Sequence, residues 1–275
     1  AMRRQLDEES ANPSSVHAFG RRARVAVESA REAVARLVGS PPEDLVLTAG
    51  GTEANNLAIY GAALAGRAAG SRRLVTSASE HPSVLGPMED LERRGFEVIR
   101  VRPDRWGLVR AEEVLDRASP GTALVSLMLA GNEVGTLQPV AAVGRELRRR
   151  GVTFHCDAAQ AAGKIPVDVG ALHVDLLSLA AHKFGGPQGC GALYARRGLA
   201  LQPHLRGGGQ ELNRRPGTEN VAAIAGFGAA AWAASLALAG EGVRLEALRD
   251  RLERAVLARV PEARVNGHAA PRVPN

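Results

Sequence analysis

The stretch VDLLSLAAHKFGGPQGCGALYAR, Val174 to Arg196, carries the key to the fold. An apolar run, VDLLSL, stops at the small pair Ala180-Ala181. His182 and Lys183 follow, and a glycine-proline turn leads into a second run, GCGALYAR. Short apolar runs bounded by Gly and Pro read as buried strands. Residues just after a strand stand where open α/β sheets bind ligands. Lysine is scarce here: of 35 Lys and Arg residues, only Lys164 and Lys183 are lysines. A primary amine forms a Schiff base with a carbonyl, whereas a guanidinium does not. Lys183 is therefore a candidate for amine chemistry, and its alternative is an ordinary surface lysine. Lys164, in AAGKIPVDV, lies in a Pro-containing segment with no strand feeding it.

Outward from this stretch, strand-like and helix-like segments alternate. Ser15 to Leu37 predicts a helix, ended by Gly39 and Pro41-Pro42. DLVLT, RRLVTS, FEVIRV, TALVSLML and VTFHC predict strands. Between them, GGTEANNLAIYGAAL, Pro82 to Arg94, RAEEVLDRA and Val140 to Arg150 predict helices. Such alternation implies crossover units, hence an α/β fold with a mostly parallel sheet flanked by helices. Residues 1–240 read as one large domain. From Glu241, a charged helix (GVRLEALRDRLERAVLARV) and a short strand (ARVNG) read as a linker and the start of a small α+β domain, 241–275. AMRRQLDEES reads as the end of a helix.

Composition narrows the function. The 275 residues are 45% hydrophobic but only 3% aromatic, so the core is built from Ala, Val and Leu. The net charge is +6, yet the arginines are interleaved with acids on helical stretches. This pattern argues against a nucleic-acid partner. Cys156 and Cys190 belong to no metal or CxxC spacing, which points away from a disulfide framework or zinc site and toward a reducing cytoplasm. VAAIAGFGAAAWAASLALAG, Val221 to Gly240, carries no charge over the length of a membrane span. Its Ala and Gly gain little from lipid, so a buried helix is expected, and no membrane partner.

The other strand ends supply chemistry. After LVLT, Gly50-Gly51-Thr52 opens a helix, whose free N–H groups and dipole suit an anion; a glycine turn capped by Thr52 is the alternative. Behind RLVTS stands His81, able to stack on a planar ring or move protons. Asn132 follows LVSLML and offers a donor or a turn bond. Asp157 follows VTFHC, with Gln160 beyond it; this carboxylate suits a protonated ring nitrogen, or else makes an Asx turn. An anion cradle, a stackable ring, an acid and an amine together match what pyridoxal 5'-phosphate requires of a protein.

These motifs resemble the cysteine desulfurases, class V fold-type-I pyridoxal-phosphate enzymes. The matching stretches are NPSSVHAFG (Asn12 to Gly20), TAGGTEANNLAI (Thr48 to Ile59), SEHPSV (Ser79 to Val84) and GNEVGTLQP (Gly131 to Pro139). HCDAAQAAGKIPVDV (His155 to Val169), AHKFGGPQGCGALY (Ala181 to Tyr194), GGGQE and RRPGTEN (Gly207 to Asn220) continue in family order. The GGGQE and RPGTEN pair is similar to the iron-sulfur-assembly branch.

The resemblance implies roles. Lys183 would hold the cofactor and move the substrate's Cα proton, and His81 would stack on the pyridine ring. Asp157 would pair with the ring nitrogen and Gln160 with the ring hydroxyl, while Gly51, Thr52 and His182 would hold phosphate. Asn132 would contact cofactor or substrate carboxylate. Thr218 would reach the phosphate of a neighbouring subunit in a homodimer with shared sites, and Arg215 lies near that interface as a substrate-binding candidate. The implied reaction takes sulfur from L-cysteine, giving L-alanine and an enzyme persulfide for an iron-sulfur scaffold or other sulfur acceptor. Alternatives are a selenocysteine lyase or other class V aminotransferase, or an inactive cofactor-binding fragment. Three departures stand out. The family's phosphate-binding hydroxyl two places before His182 is Ala180 here. The N-terminal "ATTP"-like segment finds no match. The loop with the nucleophilic cysteine and the carboxylate-binding arginine is expected beyond this chain, since Cys156 and Cys190 match neither.

Overall fold

The computed structural model describes residues 1–7, 11–267 and 269–275. Among these residues seven strands form one sheet: β1 (Leu45–Thr48), β2 (Arg73–Ser77), β3 (Glu97–Val101), β4 (Thr122–Ser126), β5 (Phe154–Asp157), β6 (Leu176–Ala180) and β7 (Gly191–Ala195). Their order is β1-β7-β6-β5-β4-β2-β3. Only β7 runs antiparallel, between β1 and β6. The reason is the Gly-Pro turn between Lys183 and Gly191, which is too short for the crossover that a parallel neighbour needs. The expected mostly parallel α/β sheet is therefore present. All strands except β7 share one direction, so their carboxyl ends lie along one edge.

Among the described residues seven α-helices accompany the sheet: α1 (Met2–Asp7), α2 (Ala18–Leu37), α3 (Gly51–Ala68), α4 (Pro82–Arg93), α5 (Ala111–Arg117), α6 (Val140–Arg150) and α7 (Val221–Arg259). Alternation along the strands builds a core on each face of the sheet. In β1, Leu45 and Leu47 join one apolar cluster with α2, α5, α6 and the start of α7, while Val46 joins the other with α3 and α4. β6 repeats this: Leu177 and Leu179 face α2 and α7, and Leu176 faces α3. A period of two with both faces covered is what a buried parallel sheet demands. β3, at the edge, is the less buried strand, and its Arg100 pairs with Glu92 at 2.7 Å.

Several expectations change in detail. α2 starts at Ala18 rather than Ser15, because His17 caps it, with Nδ1 accepting from Gly20 N. TALVSLML is a strand only to Ser126. Beyond it, Leu127 N and Leu129 N still donate to His155 O and Asp157 O, so the chain stays extended into the site.

The stretch Val221–Gly240 is not a wholly buried helix. It is the first half of α7, which continues without a break to Arg259, so residue 240 falls inside one helix. Burial covers Ala223, Ile224, Phe227, Gly228 and Ala231, where α7 crosses α2. A side chain at Gly228 would stand 2.5 Å from Ala30 Cα, so only glycine permits this approach. Farther along, Trp232 is 46% and Leu236 70% exposed. By length and composition α7 is apolar enough to cross a membrane, but its first turns are packed in the core.

ARVNG, Ala263 to Gly267, forms no strand. A strand needs a hydrogen-bonded neighbour. The tail after it pairs instead with the 135–137 loop: Leu137 N donates to Pro271 O at 2.7 Å and Val273 N to Gly135 O at 2.9 Å.

Candidate active site

A cleft of about 820 Å³ lies along the carboxyl edge of the sheet. Gly51, Thr52, His81, Asn132, Asp157, Gln160, His182 and Lys183 all line it. Residues as far apart in sequence as 51 and 183 thus meet as the strand ends predict. β7 brings the first and last of these together, since Gly191 pairs with both Thr48 and Ala180.

Lys183 sits in a short 3-10 turn, Ala181–Phe184, directly after β6. Gly185 closes the turn at φ 84°, a conformation that favours glycine, and Gly186 N donates to Ala181 O. Among the described residues, no hydrogen bond or ion pair engages the Lys183 amine. His182 faces the same cleft; burial, and then the charge of Lys183, push its pKa down.

The anion cradle is the start of α3. Gly50 has φ 150° with open space beside it, and a Cβ on Gly51 would stand 3.1 Å from Ala180 Cβ. The first N–H groups of a helix have no intrahelical acceptor, and the dipole adds positive potential there. Ala180 is buried against this turn and presents only a methyl. A hydroxyl there gives the cradle another donor. Ala180→Ser is expected to tighten pyridoxal-phosphate binding about tenfold, following the strength of hydrogen bonds to charged groups. Equilibrium dialysis measures this, and equal affinity would count against it.

Asp157 is buried at the end of β5. Burial raises its pKa, opposed by Ala159 N on Oδ1 at 2.9 Å, by Asn55 Nδ2 on Oδ2 at 2.7 Å, and by the charges of His81 and Lys183. A buried carboxylate that lacks a full cationic partner suits a protonated ring nitrogen. Behind it, Glu80 is fully buried; Oε1 accepts from Met128 N and Oε2 has no partner among the described residues. Burial first, and then the Asp157 charge, raise Glu80 well above its ordinary value. A raised folded-state pKa means stability that is full below about pH 4.5, the ordinary value, and lost as pH rises through the folded one. Glu80→Gln keeps the acceptor for Met128 N and cannot ionise. Its thermal stability is expected to decline less steeply than the wild type's as pH rises through that range, Asp157 keeping its own contribution. Parallel melting curves would argue against a neutral Glu80.

Gln160 is joined by a residue that the sequence reading set aside. Lys164 Nζ donates to Gln160 Oε1 at 3.0 Å, one helical spacing away, leaving the Gln160 amide hydrogens for another partner. Burial and the charge of Lys183 lower the Lys164 pKa. Asn55 and Ser83 were also missed, and both line the cleft. Nothing in their spacing marks them, because their bonds cross between helices.

Two named residues do not line the cleft. Thr218 is exposed on the segment before α7. Arg215 Nε pairs with Glu53 Oε1 at 2.7 Å, and Glu53 itself is in the cleft wall. That segment is anchored by Glu211, whose carboxylate accepts from Arg31 at 2.7 and 2.9 Å and from Leu47 N at 2.8 Å. Cys156 and Cys190 are buried core residues. Burial pushes Cys156 well up and Cys190 up to about 12, so neither is a ready thiolate.

The donor set therefore fits pyridoxal phosphate: an unengaged amine, a carboxylate short of a cation, a stackable imidazole and a helix N-terminus converge on one cleft. The aminotransferase class-V family matches residues 1–274. A curated relative from Dictyoglomus turgidum, cysteine desulfurase IscS, is 44% identical over 275 residues, covering 100% of this chain and 70% of the relative. A solved NifS-like protein superposes at TM-score 0.95 with 36% identity, over 100% of this chain and 75% of the other. The structure of SspA in complex with cysteine matches at TM-score 0.81 and 39% identity, over 84% and 67%. The chain belongs to the class V aminotransferase family, on its cysteine desulfurase branch.

Proposed function

We propose that this chain is the cofactor domain of a pyridoxal-phosphate-dependent cysteine desulfurase. The observation that carries the reading is the meeting of Lys183, Asp157 and the α3 N-terminus in one cleft. Pyridoxal phosphate, when bound, supplies an electron sink for the substrate's α-carbon. Gly51, Thr52 and His182 would hold its phosphate, and Asp157 would pair with its protonated ring nitrogen. His81 would stack on its ring, and Gln160, whose Oε1 accepts from Lys164, would have its amide hydrogens left for the ring oxygen. Lys183 anchors the cofactor and moves a proton at the substrate Cα, as a flexible primary amine can. Asn132 offers a donor to substrate carboxylate.

L-cysteine is the proposed substrate, in line with the cysteine bound in the SspA structure. Its sulfur passes to an acceptor thiolate as a persulfide, and the carbon skeleton is protonated to L-alanine. That thiolate is neither Cys156 nor Cys190, both of which are buried with raised pKa. An iron-sulfur scaffold or a related acceptor would take the persulfide sulfur. We place the protein in the reducing cytoplasm, where its two thiols stay free. A homodimer would let the exposed Thr218 reach the neighbouring subunit's phosphate; light scattering tests that association. The reaction is tested with the full-length protein, cofactor and L-cysteine, by measuring alanine and persulfide. Release of alanine at one equivalent per sulfur supports the reading. A cofactor-loaded protein that releases neither would refute it.

A further inference from the structure

Asn55 and Ser83 have no part in the scheme above, yet they join two of its members. Asn55 lies on α3 and Ser83 in the first turn of α4, and both are buried. Asn55 Nδ2 stands 2.7 Å from Asp157 Oδ2 and 2.8 Å from Ser83 Oγ. Ser83 Oγ stands 2.7 Å from His81 Nδ1. An amide nitrogen has two hydrogens, and both are used here.

The direction of every bond follows from the carboxylate. Ionised Asp157 only accepts, so Asn55 must turn its nitrogen toward it. Ser83 Oγ then receives the second amide hydrogen and gives its own to His81 Nδ1. Ser83 N donates to the same ring nitrogen at 3.1 Å. In the neutral ring, Nδ1 therefore carries the lone pair and Nε2 the hydrogen. Asn55 Oδ1 is left buried without a partner among the described residues. A flipped amide would satisfy that oxygen from the Ser83 hydroxyl, but would set oxygen against the carboxylate. The unsatisfied atom thus records which contact dominates: the one to Asp157.

We propose that Asn55 is a positioning residue which, through Ser83, ties the orientation of the Asp157 carboxylate to the tautomer of His81. The partner of the ring nitrogen and the imidazole over the ring face are then set as one unit. The inference rests on the cofactor roles proposed for Asp157 and His81, but its first test does not need the cofactor.

In cofactor-free protein labelled with ¹⁵N-histidine, the shifts of the two His81 nitrogens distinguish each neutral tautomer from the charged ring and so report the tautomer directly. The wild type is expected to show Nε2–H. Ser83→Ala, with one donor left on Nδ1, is expected to shift the Nδ1 resonance and bring in the other tautomer. A wild-type Nδ1–H ring, or unchanged shifts in Ser83→Ala, overturns the proposal whatever the enzyme's activity. The second test is a double-mutant cycle on pyridoxal-phosphate affinity, followed by the visible band of the bound cofactor. Asn55→Ala is expected to weaken binding about tenfold. Adding Ser83→Ala should weaken it little further if the two act as one bridge. Losses that multiply would overturn the coupling. A wild type that binds no pyridoxal phosphate would refute the cofactor reading and leave the tautomer result standing by itself.

Discussion

Lys183→Ala is expected to remove turnover, by at least about 10³-fold, while the protein stays folded. The side chain is exposed in the cleft and makes no hydrogen bond or ion pair among the described residues, so its loss leaves no buried hydrogen-bond partner unpaired. What would disappear is the amine proposed to attach the cofactor and to move the Cα proton. A positioned acid-base group alone contributes about 10²–10⁴-fold. Lys164 cannot stand in, because it is half-buried and held on Gln160 at 3.0 Å. Lys183→Arg keeps the charge and is expected to be equally inactive, since a guanidinium forms no such linkage. Alanine production from L-cysteine is one readout, and the visible absorbance of the attached cofactor is the other. Retention of both in Lys183→Ala would eliminate this lysine as the anchor and direct attention to Lys164.

Glu211→Ala is the substitution expected to cost the most stability, about 3–5 kcal/mol, the range for breaking one side of a buried ion pair. Arg31 is only 9% exposed. Burial works against its charge, and the bonds and charges of Glu211 and Glu28 more than reverse this, leaving its pKa raised. Without Glu211, a buried guanidinium loses its principal partner and Leu47 N loses its acceptor. Glu211, Leu212 and Asn213 also adopt φ of 48°, 56° and 62°, three successive left-handed residues without a glycine. Such backbone persists only where the surroundings hold it. Release of this turn would free the segment that carries Arg215 and Thr218. Thermal melting reads the loss if unfolding is global, and hydrogen exchange over residues 207–217 reads it if unfolding is local. Wild-type behaviour in both measurements would show that the pair anchors nothing.

Much of the site was legible because strand-end chemistry is local in sequence. Gly51, Thr52, His81, Asn132, Asp157, Gln160, His182 and Lys183 each lie within four residues of the end of a predicted strand, and parallel strands deliver their carboxyl ends to one edge. Asn55, Ser83 and Lys164 were not legible. Asn55 reads as a polar residue within a helix, and its importance appears only when Asp157, 102 positions away, lies 2.7 Å from it. Lys164 was set aside for want of a strand, although its distance of four residues from Gln160 was the available clue. The unbroken α7 was hidden by composition: its apolar and charged halves look like different elements, yet helix geometry is indifferent to that change.

The sequence by itself determined the alternation of strands and helices, the burial of a core poor in aromatics, and the residue types at each strand end. Those follow from hydrophobic period, glycine and proline placement and the scarcity of lysine, all of which act over a few residues. Only the tertiary structure decided that β7 inserts between β1 and β6, that Ala180 closes against Gly51, and that one amide nitrogen bridges Asp157 and Ser83. These depend on how distant segments approach, because a hydrogen bond or a methyl contact is set to within a few tenths of an ångström by packing that no local pattern encodes.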